Sequence, residues 1–378
     1  MQRDVKKKTV AYGFAAVLLA VLLTSVCYHL GVQPITQRFF SQLKTFTSYE
    51  ELENFLKTGM EQARQLEQHY LFPSLRGAEV GTLSTETKAA PAHSTTNIQV
   101  AGVDEADIVK TDGEYLYVVS DGNVSIVKAY PPNQARVLSK IPLNGTGNAE
   151  VYFKGDKLAV LGNRYLFATR EYWMPYFPYT GEAFVKVYNI SDRANPVLAR
   201  TVILNGTLSG SRLIDDYVYA VFKQQAIGPS SNETDIEVNL PKISINSVVR
   251  EVEPTEIHYV NVTDVSYDFT TVVAVNIIND AQEPTYEPFL TGATACMYVS
   301  LSNMYLTVPN TNTWFPLEII GGVREETLIY RIRLDGDKIV CEAEGNVSGY
   351  VLNQFSMDEH NGFFRIATTE WTRETSTN

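Results

Sequence analysis

Apolar and polar residues alternate in short runs along the chain after residue 94. Pairs of these runs flank polar turns of two or three residues, which is the pattern of β-hairpins. Five hairpins can be recognised, one around Thr111–Gly113 and the others at residues 150–161, 211–222, 295–308 and 353–367. Five copies of strand, turn and strand predict a repeat fold of the all-β class.

The second strands of these hairpins contain equivalent apolar positions, which we expect to face the core. Their separations are 42, 60, 88 and 58 residues, against about 40–45 for one four-stranded propeller blade. The excess falls in three insertions that follow second strands, at residues 163–182, 223–256 and 309–325. The equivalent positions are Leu116, Leu158, Val218, Leu306 and Phe364.

This spacing predicts a β-propeller with four complete antiparallel four-stranded blades and a fifth blade that stops after its second strand. An open half blade would leave an edge strand exposed, so we expect the chain to be truncated at its C-terminus. Strand direction alternates within a blade, which places all three insertions on one rim. The segment Gly102–Asp107 precedes a first strand, and we expect it on the same rim.

Two long motifs resemble a known family. They are STTNIQVAGVDEADIVKTDG at 94–113 and LNQFSMDEHNGFFRIATT at 352–369. Both are similar to motifs of archaeal and bacterial secreted "beta-propeller domain" proteins, distant relatives of WD-repeat propellers, over about residues 94–371. The resemblance implies a propeller fold and an exported location, and it implies no biochemical activity. Members of the family are commonly longer, with further blades.

The N-terminus has the composition of a membrane anchor. Residues 10–32 contain no Asp, Glu, Lys or Arg, and about 20 apolar residues span a bilayer. Basic residues lie before this stretch, which predicts a cytoplasmic tail at 1–9, a single-pass anchor at 10–32 and an extracytoplasmic remainder. A cleaved signal peptide is the alternative.

An amphipathic helix is predicted at about 49–70, inside a helix or stalk segment at 33–73. Ser48 and Glu51 have the spacing of a capping box, and apolar residues follow at helical intervals. Its apolar face needs a partner: the flank of the propeller, a second copy or the bilayer surface. Small polar residues then predict a flexible linker at 74–97, ahead of the propeller at 98–378.

Three carboxylates close to the first hairpin suit calcium, which prefers oxygen ligands. They are Asp104, Glu105 and Asp107, and their spacing does not match an EF-hand loop. The alternative is that these side chains bond the backbone of turns and connections. No other cofactor is indicated.

The first insertion is rich in aromatic residues, with seven between Tyr165 and Tyr179. Exposed aromatic side chains are a common platform for a protein or glycan partner. The alternative is a small satellite core on top of the propeller. The candidate binding residues are Tyr172, Trp173, Tyr176, Phe177 and Tyr179.

Seven Asn-x-Ser/Thr sequons follow the predicted anchor, on the side where N-glycosylation could act. Turn chemistry is the competing explanation where Asn precedes Gly. Three of the seven are expected in matching inter-blade loops, at Asn144, Asn205 and Asn346. The full set is Asn123, Asn144, Asn189, Asn205, Asn232, Asn261 and Asn346.

Charge and motif content restrict the function. The net charge is −12, and it becomes −15 once the +3 of the first ten residues is set aside, so nucleic-acid binding is not expected. The five histidines are scattered, and no nucleophile elbow or phosphate-binding loop occurs. Cys296 and Cys341 are expected in non-adjacent strands, without a disulfide.

The sequence therefore favours a membrane-anchored extracytoplasmic propeller that acts as a binding or scaffold module at the cell surface. The alternative is an extracytoplasmic enzyme, for example a calcium-dependent hydrolase, with its site on the rim or in the central channel.

The predicted topology can be tested with protease added to intact cells or spheroplasts. We expect digestion of the residues after about 33 and protection of a small tag at the N-terminus. Protection of the propeller would reverse the predicted orientation.

Overall fold

The computed structural model describes residues 43–69, 98–165, 181–228, 236–259, 267–292, 294, 296–309 and 326–370, with only the backbone at 62–69 and at 165. The α-helix α1 (Tyr49–His69) follows the short strand β1 and precedes the other strands. The strands are β1 (Lys44–Thr45), β2 (Val103–Asp104), β3 (Val109–Thr111), β4 (Tyr115–Ser120), β5 (Asn123–Lys128), β6 (Arg136–Pro142), β7 (Thr146–Lys154), β8 (Lys157–Tyr165), β9 (Gly181–Asn189), β10 (Val197–Asn205), β11 (Thr207–Ile214), β12 (Tyr217–Gln225), β13 (Ile227–Gly228), β14 (Glu237–Val238), β15 (Lys242–Ile245), β16 (Val248–Glu251), β17 (His258–Tyr259), β18 (Asp268–Asn276), β19 (Thr285–Thr291), β20 (Cys296–Val299), β21 (Asn303–Pro309), β22 (Glu326–Asp335), β23 (Lys338–Ser348), β24 (Met357–His360) and β25 (Phe363–Ile366).

Within the described residues, five sheets follow one another along the chain, and the short pair β13-β14 forms a separate two-stranded sheet. Sheet 1 has the strand order β3-β4-β5-β6, and sheet 4 has the order β20-β21-β22-β23. Sheet 2 is built on β7-β8-β9-β10, and sheet 3 on β11-β12-β18-β19. Sheet 5 is the hairpin β24-β25 within the described residues. Each of the five predicted hairpins therefore supplies the first two strands of a sheet, and that prediction is confirmed.

Consecutive sheets bury apolar side chains against each other. One cluster lies between sheets 1 and 2, a second between sheets 2 and 3, a third between sheets 3 and 4, and a fourth between sheets 4 and 5. The second strands supply residues to both faces because successive side chains point to opposite sides of a strand. Representative residues of the four clusters, in that order, are Leu158, Val218, Leu306 and Tyr305.

The predicted equivalent positions lie in second strands, as expected, and four of them face the preceding sheet. Leu158, Val218 and Leu306 are fully buried there, and Phe364 stacks on Tyr305 of sheet 4 with ring centroids 3.9 Å apart. Leu116 is only half-buried, so the prediction that it faces the core is wrong. Its side of sheet 1 points away from sheet 2, and no described sheet covers it.

The buried residue of β4 is Tyr117, which lies on the opposite face from Leu116. Its ring stacks on Phe153 of sheet 2 at 4.8 Å between centroids. Its hydroxyl donates to Asp112 Oδ2 at 3.0 Å, so the polar end of the ring is satisfied. Desolvation by burial raises the pKa of the Tyr117 phenol.

Neighbouring sheets meet with the same ends together, which defines two rims. At the upper rim, where second strands end, Leu208 N of sheet 3 donates to Asn163 Oδ1 of sheet 2 at 2.7 Å. At the lower rim, Lys154 of sheet 2 forms an ion pair at 2.8 Å with Asp216 in the β11–β12 turn of sheet 3. On the upper rim Lys223 of sheet 3 also donates to the Thr294 carbonyl, just before sheet 4. The described ends of the three insertions thus share the upper rim, as predicted.

The second insertion, residues 223–256, does more than extend that rim. Its strand β15 pairs with β10, and β16 pairs with β15, so sheet 2 gains two strands at its outer edge. Ile243 is buried there. This part of the insertion was predicted on the rim and lies along the outer edge of sheet 2 instead, because the edge of β10 offers backbone groups that a strand can pair with.

The predicted helix is present and packs on its own sheets. Ser48 is the N-cap, with its Oγ accepting from Glu51 N at 3.2 Å, while the Glu51 carboxylate accepts from Thr47 N at 2.7 Å. Leu52 and Leu56 are fully buried. The preceding β1 joins the outer edge of sheet 3 through β17. Of the partners considered, the flank of the propeller is the one observed.

Several predicted segments lie outside the described residues. They are the tail at 1–9, the anchor at 10–32 and nearly all of the linker at 74–97. In the part of the chain that the structure does describe, no helix is both long enough and apolar enough to cross a bilayer.

Because α1 packs on the sheets through Leu56, we expect Leu56→Ala to lower the free energy of unfolding strongly. The change leaves a cavity in a fully buried site, and such substitutions cost about 2–5 kcal/mol. Urea unfolding should show the loss, while Glu61→Ala on the exposed side of α1 should stay within about 0.5 kcal/mol. Equal stability of Leu56→Ala and Glu61→Ala would contradict the observed packing.

Candidate functional site

A single segment crosses the first-strand edges of several sheets. We call residues 98–108 the central strap. Val103 and Asp104 pair with the end of β11 in sheet 3, and Asp107 forms an isolated bridge with Val151 of sheet 2. Gln99 Nε2 donates to the Met357 carbonyl of sheet 5 at 3.2 Å. The first strands of sheets 2, 3 and 5 therefore converge on the strap.

The strap runs from the lower rim towards the upper rim. Val103 pairs with Ile214, which is the last residue of β11 before the lower turn. Ile108 O accepts from Val119 N at 2.8 Å, near the upper end of β4. The expectation that all of Gly102–Asp107 lies on the upper rim is therefore wrong. The beginning of the segment lies near the lower rim because it pairs with the free edge of β11.

Two buried cations hold the acidic residues of the strap. Lys110 Nζ lies 2.8 Å from Asp104 Oδ1 and donates to the Glu105 carbonyl at 2.6 Å. Arg212 Nη2 lies 3.2 Å from Glu105 Oε1. Lys110 and Arg212 are each only 8% exposed. Buried cations of this kind need such partners, so the pairs fix the path of the strap.

Sequence reasoning missed Lys110 and Arg212. Arg212 also donates to the Ser211 carbonyl at 2.7 Å and to Gln354 Oε1 at 2.9 Å, which ties sheet 3 to the start of sheet 5. The usable signal was a charged residue inside the first strand of a hairpin, where the pattern otherwise favours apolar or small side chains.

Glu150 stands beside the strap on β7. Its carboxyl is accessible to solvent but crowded by protein atoms, and this desolvation is the main reason why its pKa is raised. The charge of Asp107 raises it further, as does that of Glu105, while Arg212 and Lys110 act in the opposite direction. The fold therefore makes ionisation of this carboxyl less favourable than it is in the unfolded chain.

The calcium hypothesis for Asp104, Glu105 and Asp107 stays a prediction. Two of these side chains already face the cations described above, and Asp107 Oδ1 accepts from Ile108 N at 2.7 Å. Across the described ranges, no group of three or more His, Cys, Asp and Glu side chains is arranged to hold a metal ion.

A cleft of about 420 Å³ opens on the upper rim between sheets 1 and 2. We call it the upper cleft. Its walls are Ile108 of the strap, the β4–β5 turn at 120–122 and the connection at 143–150. That turn is short, whereas sheets 2, 3 and 4 carry insertions at the same place.

A second, shallower cleft of about 600 Å³ lies on the lower rim beside Arg193. The Arg193 guanidinium is already engaged, with Nη1 at 2.7 Å from Asp156 Oδ1 and its centre 5.4 Å from the Tyr115 ring centroid. Ser139 Oγ donates to the Arg193 carbonyl at 2.6 Å. These contacts join sheet 1 to sheet 2. The polar groups of this cleft therefore have a structural role in holding the two sheets together.

The predicted sequons occupy different environments. Asn144 is exposed in the β6–β7 connection, and Asn205 is half-buried at the end of β10. Asn346 is exposed but lies within β23 opposite Leu328, so its assignment to an inter-blade loop is wrong. Asn123 begins β5, and Asn189 ends β9. Asn232 and Asn261 lie outside the described residues.

The remaining candidates are the aromatic residues of the first insertion and two cysteines. The aromatic residues Tyr172, Trp173, Tyr176, Phe177 and Tyr179 lie outside the described residues. Cys296 and Cys341 are in the first and fourth strands of sheet 4, and both are free thiols. Burial raises the pKa of Cys341 to about 12.

Comparison with known proteins gives a family and two distant relatives. A family model described as Beta propeller domain matches residues 93–378. An uncharacterized protein of Methanocaldococcus jannaschii is 22% identical over 362 residues, which cover 77% of this chain and 52% of the relative. An uncharacterized protein of Archaeoglobus fulgidus is 23% identical over 439 residues, covering 97% of this chain and 68% of the relative.

The chain thus spans about half the length of the first relative and about two thirds of the second. No solved structure is significantly similar to it.

The raised pKa of Glu150 predicts a pH-dependent effect of Glu150→Gln. A carboxyl group with a raised folded-state pKa stabilises the fold below its ordinary pKa, and this stability is lost as the pH rises through the folded value. Gln stays neutral, so the variant should melt about 1–2 °C higher at pH 7 and equal the wild type near pH 4.

Thermal unfolding at both pH values measures this difference. Glu283→Gln, an exposed change in the connection between β18 and β19, is the control and should leave the melting temperature nearly unchanged at both pH values. A melting temperature of Glu150→Gln below that of the wild type at pH 7 would contradict a raised pKa of Glu150.

Proposed function

Because the chain belongs to the Beta propeller domain family, we propose that it is a binding module that presents its upper rim to a partner at the cell surface. The observation that carries this proposal is the contrast between the two parts of the molecule. The strap at the centre is held by its own cations, whereas the upper rim has an open cleft and the ends of three insertions.

A rigid support under variable loops is the usual arrangement for recognition. The four apolar clusters between consecutive sheets give this support. Arg200 adds a link between sheets 2 and 3, since it is 2% exposed and its Nη1 donates to the Asn276 carbonyl at 3.4 Å. Loops on such a frame can differ in sequence at little cost to the core.

We assign part of the recognition to the aromatic insertion. It joins β8 to β9, and the described ends of these strands, Tyr165 and Gly181, lie side by side at the upper rim. Aromatic side chains supply large contact areas at a low entropy cost, which suits a protein or glycan partner.

The proposed location is the outer face of a cell membrane, with residues 10–32 as a single-pass anchor. The uncharged length of this stretch and the basic residues before it support that orientation. Glycosylation is proposed for Asn144 and Asn346, because both side chains are exposed and both lie in sequons.

Deletion of Tyr172–Tyr179 tests the proposed function. The shortened protein should fold with unchanged far-UV circular dichroism and thermal stability, since tips of exposed connections tolerate change. It should recover fewer cross-linked partners from the cell surface than the intact protein.

The matched control is replacement of the two-residue turn Asn246–Ser247 in the β15–β16 hairpin by Asn-Gly, which should not alter the recovered partners. The same partners from both proteins would argue against recognition by the aromatic insertion. Turnover of a glycoside or peptide substrate by the intact protein would favour the hydrolase hypothesis instead.

A further inference from the structure

We propose that the upper cleft binds a protonated primary amine, either a lysine side chain of a partner or a free aliphatic amine. The inference rests on the proposed binding function and names the chemistry that the cleft selects. It is carried by the shape of the cleft and by the charges that face Glu150.

The cleft has two carboxylates, Glu150 and Asp121, beside an apolar wall. Ile108 is 57% exposed, and Val119, Leu143 and Ala149 contribute the rest of the apolar lining. Glu150 stands at the edge nearest the strap. An amine on a short methylene chain fits this arrangement, since its stem packs on apolar surface while its charged end meets an acceptor.

The cations near Glu150 have other partners. Lys110 is bound to Asp104 and to the Glu105 carbonyl, and Arg212 is bound to Glu105 and to Gln354. Within the described residues, the Glu150 side chain makes no hydrogen bond or ion pair. Asp107, Asp121 and Glu105 each use one side-chain oxygen in a contact, whereas both carboxylate oxygens of Glu150 are free to accept.

The remaining charges around Glu150 are negative. Asp107 and Glu105 act on Glu150 from the strap, and Asp121 lines the opposite side of the cleft. Arg212 offsets the charge of Glu105, with which it is paired, so Glu150, Asp107 and Asp121 leave an excess of negative charge that repels an anion and attracts a cation. The acidic body of the protein, with a net charge of −12, favours the approach of the same class of ligand.

An uncompensated carboxylate costs stability, and such costs concentrate at binding sites. The raised pKa of Glu150 reflects this cost. A bound ammonium group would replace the lost hydration and favour the ionised form. Binding should consequently weaken as the pH falls and Glu150 takes up a proton.

The test uses the full chain and two small probes, Nα-acetyl-lysinamide and Nα-acetyl-norleucinamide. They share the apolar stem, and only the first has an amine. Calorimetric titration at pH 7 should detect the lysine probe and not the norleucine probe. Affinity for the lysine probe should fall about tenfold in Glu150→Gln and should be unchanged in the control Glu114→Gln.

Two further probes separate the sources of the amine. Tighter binding of a pentapeptide with a central lysine than of 1,5-diaminopentane would identify a polypeptide ligand, and the reverse order would identify a free amine. Equal affinity for the lysine and norleucine probes would overturn the proposal, as would unchanged affinity in Glu150→Gln. If the amine proposal fails in this way but partner capture still depends on Tyr172–Tyr179, the proposed binding function remains supported.

Discussion

The edges of the sheets impose the main constraint on this protein. A strand at an edge has unpaired backbone donors and acceptors, and these groups attract another strand. The chain covers such edges with its own segments: β2 on β11, β15 on β10, and β17 followed by β1 on β19. The N-terminal helix is fixed in place by the last of these pairings, because β1 leads directly into it. Edge pairing thus connects parts of the chain that are far apart in sequence.

The central strap combines this edge pairing with buried charge. Its backbone pairs over only two residues of β11, which is little to hold a segment across several sheets. Lys110 and Arg212 supply the rest, since each would be costly to bury without a carboxylate or carbonyl partner. Such pairs add little net stability. Their effect here is to select one path for the strap, because any other path would leave the cations unpaired.

Glu150, unlike the paired carboxylates of the strap, has no cation among the described residues as a direct partner. It is placed next to two carboxylates of the strap, and nearby cations are already used. The fold therefore tolerates an unfavourable charge at the entrance of the upper cleft. A ligand that brings a positive charge would reduce this repulsion. This links the stability of the propeller to its proposed recognition of amines.

Much of the architecture was determined by the sequence alone. The hairpins at 150–161 and 211–222, and the capped helix at Tyr49–His69, depend on turn residues and periodicity within a few positions, so local pattern was sufficient. The tertiary structure decided the path of the strap, the burial of Tyr117 instead of Leu116, and the addition of β15–β16 to sheet 2. It also brought Glu150, Lys110 and Arg212 together. Each of these depends on which distant segment lies opposite, and alternation along one strand cannot specify its neighbour.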